Sequence, residues 1–176
     1  MEPIETEVKL RVNCRELDRL MSELERREFR GERVVEEDVY YQHPCRDFLE
    51  TDEAVRVRVT DGRSKSITYK GPRMGEGNVK QRVEIIVEVS RGDPHRLLER
   101  LGFTPVVRVR KERTYYNLGE GIVVTLDRVE GLGCFVEVEG PSPEAIARVI
   151  EDLGIVGEYV GKTYAEMVFE RLRGRG

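Results

Sequence analysis

The sequence has little from which to build a soft metal site: two histidines, His43 and His95, and three cysteines, Cys14, Cys45 and Cys134, in 176 residues. The cysteine count is odd and no CxxC spacing occurs, so neither a disulfide framework nor a zinc site is expected, and all three read as free thiols. Any metal must then be held by oxygen, which points to Mg²⁺ or Mn²⁺. No apolar run approaches the ~20 residues of a membrane span. Met1-Glu2-Pro3 leads straight into charged sequence without a signal-peptide pattern, so a cytoplasmic protein with no membrane partner is expected. A net charge of -4, from 34 acidic and 30 basic residues, gives no global attraction to nucleic acid or to an anionic membrane. Any anion site must be local.

What is present is charge in bulk: 36% of residues are charged and 39% hydrophobic. The length suits one domain over residues 1–176 with a real core. Four stretches carry helix patterns. Residues 15–28 align Leu17, Leu20, Met21 and Leu24 on one stripe. Asp93-Pro94 is a cap followed by proline at the first helical position, with Leu97, Leu98 and Leu101 as the stripe and Gly102 as the stop. The same pattern recurs at Ser142-Pro143, with Ile146, Val149, Ile150 and Leu153 facing inward and Gly154 ending the helix. A last helix over about 163–172 would pack Met167, Val168 and Leu172.

Between them lie segments of period-two alternation at about 4–12, 34–41, 53–60, 65–70, 79–90, 106–117, 121–129 and 134–139. Turn signals at Asp61-Gly62, Gly119-Glu120-Gly121 and Gly131-Leu132-Gly133 imply hairpins and antiparallel pairing. The stretch from 71 to 78 reads as a loop whose glycines serve turn geometry, since no helix pattern follows them.

The alternation is inverted in chemistry. Successive strand residues point to opposite sides, so Glu5, Glu7 and Lys9 share one face. Val55-Arg56-Val57-Arg58-Val59 sets two arginines against three valines. Arg82 with Glu84, Lys111 with Arg113, Thr125 with Asp127, and Glu137 with Glu139 repeat the device. Such faces are either solvated and laced with cross-strand ion pairs, each worth well under ~1 kcal/mol, or turned into the bore of a barrel whose apolar outside the helices cover. In a bore, clustered carboxylates repel by about 4 kcal/mol per pair at ~4 Å and an effective dielectric of 20. A divalent cation relieves that repulsion, and a polyphosphate relieves the matching repulsion among clustered cations. Lysine occurs only at 9, 65, 70, 80, 111 and 162 among the 30 basic residues, and Lys9, Lys70 and Lys111 fall on the charged faces.

Glu5-x-Glu7-x-Lys9 resembles the ExExK signature of the CYTH superfamily, the triphosphate tunnel metalloenzymes, which include class IV adenylyl cyclases and thiamine triphosphatases. The resemblance continues through Asp38-Val39-Tyr40-Tyr41, Val55-Arg56-Val57-Arg58, Thr68-Tyr69-Lys70-Gly71-Pro72, Arg82-x-Glu84, Lys111-x-Arg113, Leu126-Asp127-x-Val129-x-Gly131-Leu132-Gly133 and Phe135-x-Glu137-x-Glu139. It implies an α+β fold: a closed eight-stranded antiparallel β-barrel, or tunnel, with helices packed on the outside. It implies Glu5, Glu7, Asp127, Glu137 and Glu139 as metal ligands. Lys9, Arg56, Arg58, Lys70, Arg82, Lys111 and Arg113 would grip a triphosphate. Glu84 would complete the acidic set or tether a basic neighbour, and Lys9 and Glu84 would count with the five metal-ligand acids as catalytic groups. Lys162-Thr163-Tyr164 resembles the family's closing Lys-Ser-Tyr, which makes Lys162 a further phosphate ligand.

His43 reads as a solvated loop residue and His95 as structural. Tyr115 and Tyr116 should divide between the barrel and the helix layer. The implied activity is conversion of ATP to cyclic AMP and pyrophosphate, as in class IV adenylyl cyclases. The alternatives are hydrolysis of inorganic, nucleoside or thiamine triphosphate, and a non-catalytic polyphosphate- or nucleotide-binding module. Abundant arginine and glutamate with few aromatics suit a heat-adapted protein rich in ion-pair networks.

Overall fold

The computed structural model describes residues 3–74 and 77–174. Gly75 and Glu76, inside the loop expected over 71–78, lie outside the described residues, as do Met1, Glu2, Arg175 and Gly176. Among the described residues nine strands are formed: β1 (Ile4–Val12), β2 (Gly31–Gln42), β3 (Ala54–Thr60), β4 (Ser64–Lys70), β5 (Val79–Glu88), β6 (Thr104–Gly119), β7 (Ile122–Val129), β8 (Gly133–Glu139) and the two-residue β9 (Glu158–Tyr159). The helices are α1 (Cys14–Arg26), α2 (Pro94–Arg100), α3 (Pro143–Asp152) and α4 (Tyr164–Arg173). The sheet runs β5-β4-β3-β2-β6-β7-β8-β1, and β5 pairs again with β1 from Ile4↔Val83 to Val8↔Val79, which closes eight antiparallel strands into a barrel.

Closure removes the free edges that an open sheet would expose. β5 leaves β1 after Val8, and β9 takes over that side at Leu10↔Tyr159 and Arg11↔Glu158. Gly157 permits this approach, since a Cβ there would stand 2.6 Å from the Arg11 carbonyl oxygen. At two residues β9 is too short to leave a periodic trace in sequence. The β6–β7 hairpin turns through Glu120 and Gly121, both left-handed at φ 51 and 76, which matches the twist of paired strands.

Parity assigns the two barrel faces. Val8, Leu10, Val12, Leu126, Val136 and Val138 point outward into one cluster with Leu17, Leu20 and Leu24 of α1 and Ile146 of α3. Val39, Tyr41, Val55 and Val57 point outward to Phe48 and to Leu98 of α2. α4 behaves differently. Its Tyr164 and Met167 pack with Val107, Val109, Val129 and Phe135, residues in phase with the inward-facing Lys111, Asp127 and Glu137. α4 therefore stops one end of the bore while the other helices coat the wall.

Helix starts follow their caps. Asn13, Asp93, Ser142 and Thr163 each accept backbone N–H bonds through the side chain, and Thr163 with Glu166 forms a full capping box. α1 ends two residues short of the expected boundary because Glu28 adopts a left-handed backbone, φ 66.

Two expectations are corrected. Leu97 and Leu101 of α2 and Leu172 of α4 are exposed, not buried. α2 has only seven residues and lies against one apolar cluster, so one stripe position, Leu98, reaches it. The cysteines are also not all free: Cys14 and Cys134 form a disulfide across 120 residues of sequence, leaving Cys45 as an exposed thiol. Val12 lies in register with Cys134, so Cys14, two residues later at the start of α1, arrives over it. An odd cysteine count is compatible with one bridge, and no local spacing reveals a bridge made by strand register.

Candidate active site in the barrel bore

The charged faces turn inward. Glu139 lies close to Glu5 and Glu7, and Glu5, Arg56 and Lys111, from three strands, belong to one ion-pair network that runs through Asp38, Glu84 and Lys70. Near its centre Arg113 donates from Nε to Asp127 at 2.6 Å and also engages the second Asp127 oxygen and Glu137. Asp127 is 0% exposed and accepts a further 2.6 Å hydrogen bond from the Tyr164 hydroxyl. Lys9 pairs with Glu137 at 3.1 Å, approaches the Lys162 carbonyl at 3.4 Å, and lies 4.1 Å above the Tyr164 ring.

Toward β2 and β3, Arg58 grips Asp38 with two bonds of 2.7 and 2.8 Å and reaches Glu36 at 2.9 Å. Lys111 pairs with Glu36 at 3.0 Å and Asp38 at 3.2 Å. Lys70 bridges Glu84 at 2.9 Å and Glu5 at 3.3 Å, while Lys80 meets Glu7 at 3.6 Å and the Lys162 carbonyl at 3.3 Å. Arg56 holds Asp38 and Glu84 loosely, at 3.6 and 3.8 Å, and donates to Thr68 at 3.1 Å. Arg82 reaches Asp52 at 3.3 Å.

Most tunnel cations thus lean on tunnel carboxylates, but not every donor is used. Arg56 and Arg82 are only 7% and 6% exposed, and the Nε of each has no hydrogen-bond partner. A buried guanidinium donor without an acceptor is costly, so each Nε is available to an acceptor that enters the bore.

The carboxylates divide by environment. Burial works to raise Glu137, but Arg113, Lys9 and Lys111 outweigh it and hold the group well below the ordinary range. Glu36, opposed in the same way by burial, is brought to about 2 by Lys111, Arg58 and Arg113. Glu139 has no ion-pair partner among the described residues. Burial, with Glu5 and Glu7 close by, pushes it up to about 7. Lys111 is lowered to about 8 by burial and by Arg113 and Arg58, and Lys80 to about 8 by burial and Lys9.

The sequence-predicted set Glu5, Glu7, Lys9, Arg56, Arg58, Lys70, Arg82, Glu84, Lys111, Arg113, Asp127, Glu137 and Glu139 is therefore assembled in one bore. Lys162 is placed apart: its ammonium binds Glu170 at 2.7 Å on the exposed side of α4, and only its backbone carbonyl faces the tunnel lysines. Sequence reasoning missed Glu36 and Lys80 and quoted Asp38 within a motif without giving it a site role, although Glu36-x-Asp38 and Lys80-x-Arg82-x-Glu84 carry the same alternation. It also missed Tyr164 as a tunnel residue, because nothing in a helix pattern says that the helix will enter a barrel. Tyr115 donates to Glu36 inside while Tyr116 is buried outside, and His95 accepts or donates at 2.7 Å with the Tyr41 hydroxyl in the outer layer. His43, in the β2–β3 loop, meets Phe103 edge-on beside the outer apolar cluster.

Oxygen donors suited to a hard divalent ion are present at Glu5, Glu7 and Glu139, and the nearness of the first two adds to burial in raising Glu139. Among the described residues no three acidic or sulfur- or imidazole-bearing side chains converge tightly enough to hold a metal by themselves. Mg²⁺ does not require such a cage, since it is commonly held by one or two carboxylates together with substrate phosphates and water. Among the described residues no helix is long and apolar enough to cross a membrane.

Comparisons with known proteins agree with this geometry. A Methanocaldococcus jannaschii protein named as a candidate adenylate cyclase is 37% identical over 138 residues, covering 77% of this chain and 76% of that protein. A Pyrococcus horikoshii structure superposes with a TM-score of 0.79 at 36% identity, covering 95% of this chain and 99% of the other. A Hippeastrum adenylyl cyclase candidate described as having a dominant triphosphatase activity shares the fold, with a TM-score of 0.72 at 20% identity over 97% and 96% of the two chains. The CYTH domain model matches residues 3–158, stopping short of α4. The chain belongs to the CYTH domain family.

Proposed function

We propose that the bore binds a triphosphate together with Mg²⁺ or Mn²⁺, and that the chain is a phosphoryl-transfer enzyme converting ATP to cyclic AMP and pyrophosphate. The observation carrying this reading is the pair of buried, unpartnered guanidinium donors on Arg56 and Arg82, set among Lys9, Lys70, Lys80, Lys111, Arg58 and Arg113. An elongated polyanion would take over from the internal carboxylates as their acceptor, at the places where fixed charge costs no reorganisation during reaction. Glu5, Glu7 and Glu139 would hold the ion, which supplies charge neutralisation between phosphate oxygens. Asp127 and Glu137, already saturated by Arg113, Lys9 and Tyr164, would orient the phosphate-gripping cations.

In cyclisation the ribose 3′-oxygen bonds to the innermost phosphorus as the bond to the bridging oxygen breaks. Pyrophosphate leaves, and the hydroxyl proton is lost to a base. The relationship to the candidate cyclase at 37% identity supports this choice. A second reading, hydrolysis at the terminal phosphorus, is favoured by Glu139, which is solvent-accessible and pushed up to about 7, and which would be free to take a proton from water if Glu5 and Glu7 alone held the ion.

Incubation with ATP, inorganic triphosphate and thiamine triphosphate under Mg²⁺ or Mn²⁺, with cyclic AMP, pyrophosphate and orthophosphate read separately, decides. Cyclic AMP with equimolar pyrophosphate supports the cyclase, and orthophosphate alone the hydrolase. Binding of triphosphate without turnover under either ion would reduce the protein to a binding module.

A further inference from the structure

Arg73 lies in the β4–β5 loop, between Lys70 and Val79, and joins three segments that are far apart in sequence. Its backbone N–H and its Nε both donate to one Asp52 oxygen, at 2.8 and 2.9 Å, and its guanidinium reaches the other at 2.8 Å. The same guanidinium takes the Gly161 carbonyl and a Glu166 oxygen, each at 3.0 Å. Arg73 thus binds the β2–β3 loop, the link before α4, and α4 itself.

Asp52 carries the connection on into the bore. It accepts one further bond, longer at 3.3 Å, from Arg82 on the inward face of β5, and this is the one ion pair that Arg82 makes among the described residues. Two guanidiniums compete for one carboxylate, and the distances give Arg73 the larger share. Asp52 has a left-handed backbone, φ 52, which Asp accepts more readily than most residues, and the Arg73 bonds fix its carboxylate there. Burial works to raise Asp52, but the hydrogen bonds from Arg73, with the charges of Arg73 and Arg82, outweigh it and keep the group an anion.

That division decides what is left on Arg82. A carboxylate released from Arg73 would meet the Arg82 guanidinium through two parallel bonds, the geometry that this pair of groups favours. It would then satisfy the Nε that now has no partner. A phosphate group seeks the same two donors.

We propose that Arg73 is a positioning residue for the triphosphate: by holding Asp52 it keeps that carboxylate from closing on Arg82, and so leaves Arg82 open to a phosphate. Arg73 touches no phosphate itself and acts through the other two side chains. The inference rests on the triphosphate reading of the tunnel and adds a residue of the β4–β5 loop that sets the strength of the grip.

The test is calorimetric titration of the full chain with inorganic tripolyphosphate in the absence of divalent metal. Arg73→Met should weaken binding by roughly three- to tenfold, the scale of one partly exposed charge-assisted bond. Asp52→Asn, which keeps the backbone preference and removes the charge, should bind at least as tightly as wild type. Added to Arg73→Met, it should restore the loss. In an Arg82→Met background Arg73→Met should have no further effect, because the route through Arg82 is gone. A loss that persists in that background would make Arg73 a contributor to the general field, and a loss that Asp52→Asn does not restore would make it only a clamp on the loops. Either result, or unchanged binding in Arg73→Met, overturns the proposal and leaves the tunnel reading intact. If Arg73→Met does not fold, Asp52→Asn decides alone, and weaker binding than wild type overturns the proposal. Failure of the wild type to bind tripolyphosphate overturns both.

Discussion

Glu137 and Glu139 project from the same face of β8 into one bore, two residues apart, yet their carboxyls titrate in opposite directions. Burial works to raise both. Glu137 is then met by Arg113, Lys9 and Lys111, whereas Glu139 stands beside Glu5 and Glu7 with only Lys70 to offset them. One carboxylate is a fixed anion that orders cations, and the other is a group waiting for a proton or a metal ion.

The sign for Glu139 follows from its folded value of about 7 against 4.5 for the free group. The folded protein binds the extra proton between those values, so this contribution to stability is full below about 4.5 and is lost as pH rises through 7. Glu139→Gln should flatten the decline in melting temperature between pH 5 and 8 and abolish metal-dependent turnover while keeping the fold. Added Mg²⁺ should raise the wild-type melting temperature more at pH 8 than at pH 5.5, because ion and proton compete for the same oxygens. Wild-type turnover in the variant would remove Glu139 from the site.

Lys111 and Lys80, lowered from 10.5 to about 8, lose their charge in the free protein as pH passes 8. A bound polyphosphate favours the charged form and raises both values. Tripolyphosphate binding should therefore take up protons near pH 8 to 9 and weaken as pH rises further. Calorimetry in buffers of different ionisation enthalpy measures the uptake, and Lys111→Met should reduce it. Binding without proton exchange at pH 8.5 would contradict this picture.

Asp127 sits at 0% exposure between Arg113 and the Tyr164 hydroxyl. Asp127→Asn leaves a buried guanidinium without its main counter-charge and should lower unfolding stability by about 3 to 5 kcal/mol. Denaturant midpoints should thus separate Asp127→Asn from Glu139→Gln, and equal midpoints would argue that Asp127 is a dispensable ligand instead of a structural anion.

The Cys14–Cys134 disulfide closes a loop spanning 120 residues. In the chain-entropy account a closure of that length contributes about 4 to 5 kcal/mol by restricting the unfolded chain. The double serine variant should unfold at lower denaturant by a corresponding margin with tripolyphosphate affinity unchanged, since both cysteines lie on the outer wall. Equal midpoints for the oxidised wild type and the variant would count against the bridge.

The sequence shows the strands and their two chemically distinct faces through alternation, because a strand with one apolar and one ionic face must alternate whatever its neighbours do. Closure into a barrel was implied only by the family resemblance. Proline after a capping residue marks the starts of α2 and α3 for the same local reason, and α4 carries its Thr163–Glu166 box within four residues. Glu5, Glu7, Lys9, Arg56 and Arg58 are legible because their apolar partners are adjacent in sequence.

Other features depend on what the strands meet. Strand register decides that Cys14 lies over Cys134, that β9 fills the seam β5 leaves, and that Glu137 gains three cations while Glu139 gains two anions. Leu98 is buried and Leu97 is not, because α2 touches the wall along one line. The amphipathic pattern of α4 fixes a helix but not its side of the wall, and only tertiary packing sends Tyr164 inside to Asp127 and Lys9. Local chemistry is written residue by residue along the chain, whereas the sign of a buried group's charge balance is a sum over neighbours that only the closed barrel brings together.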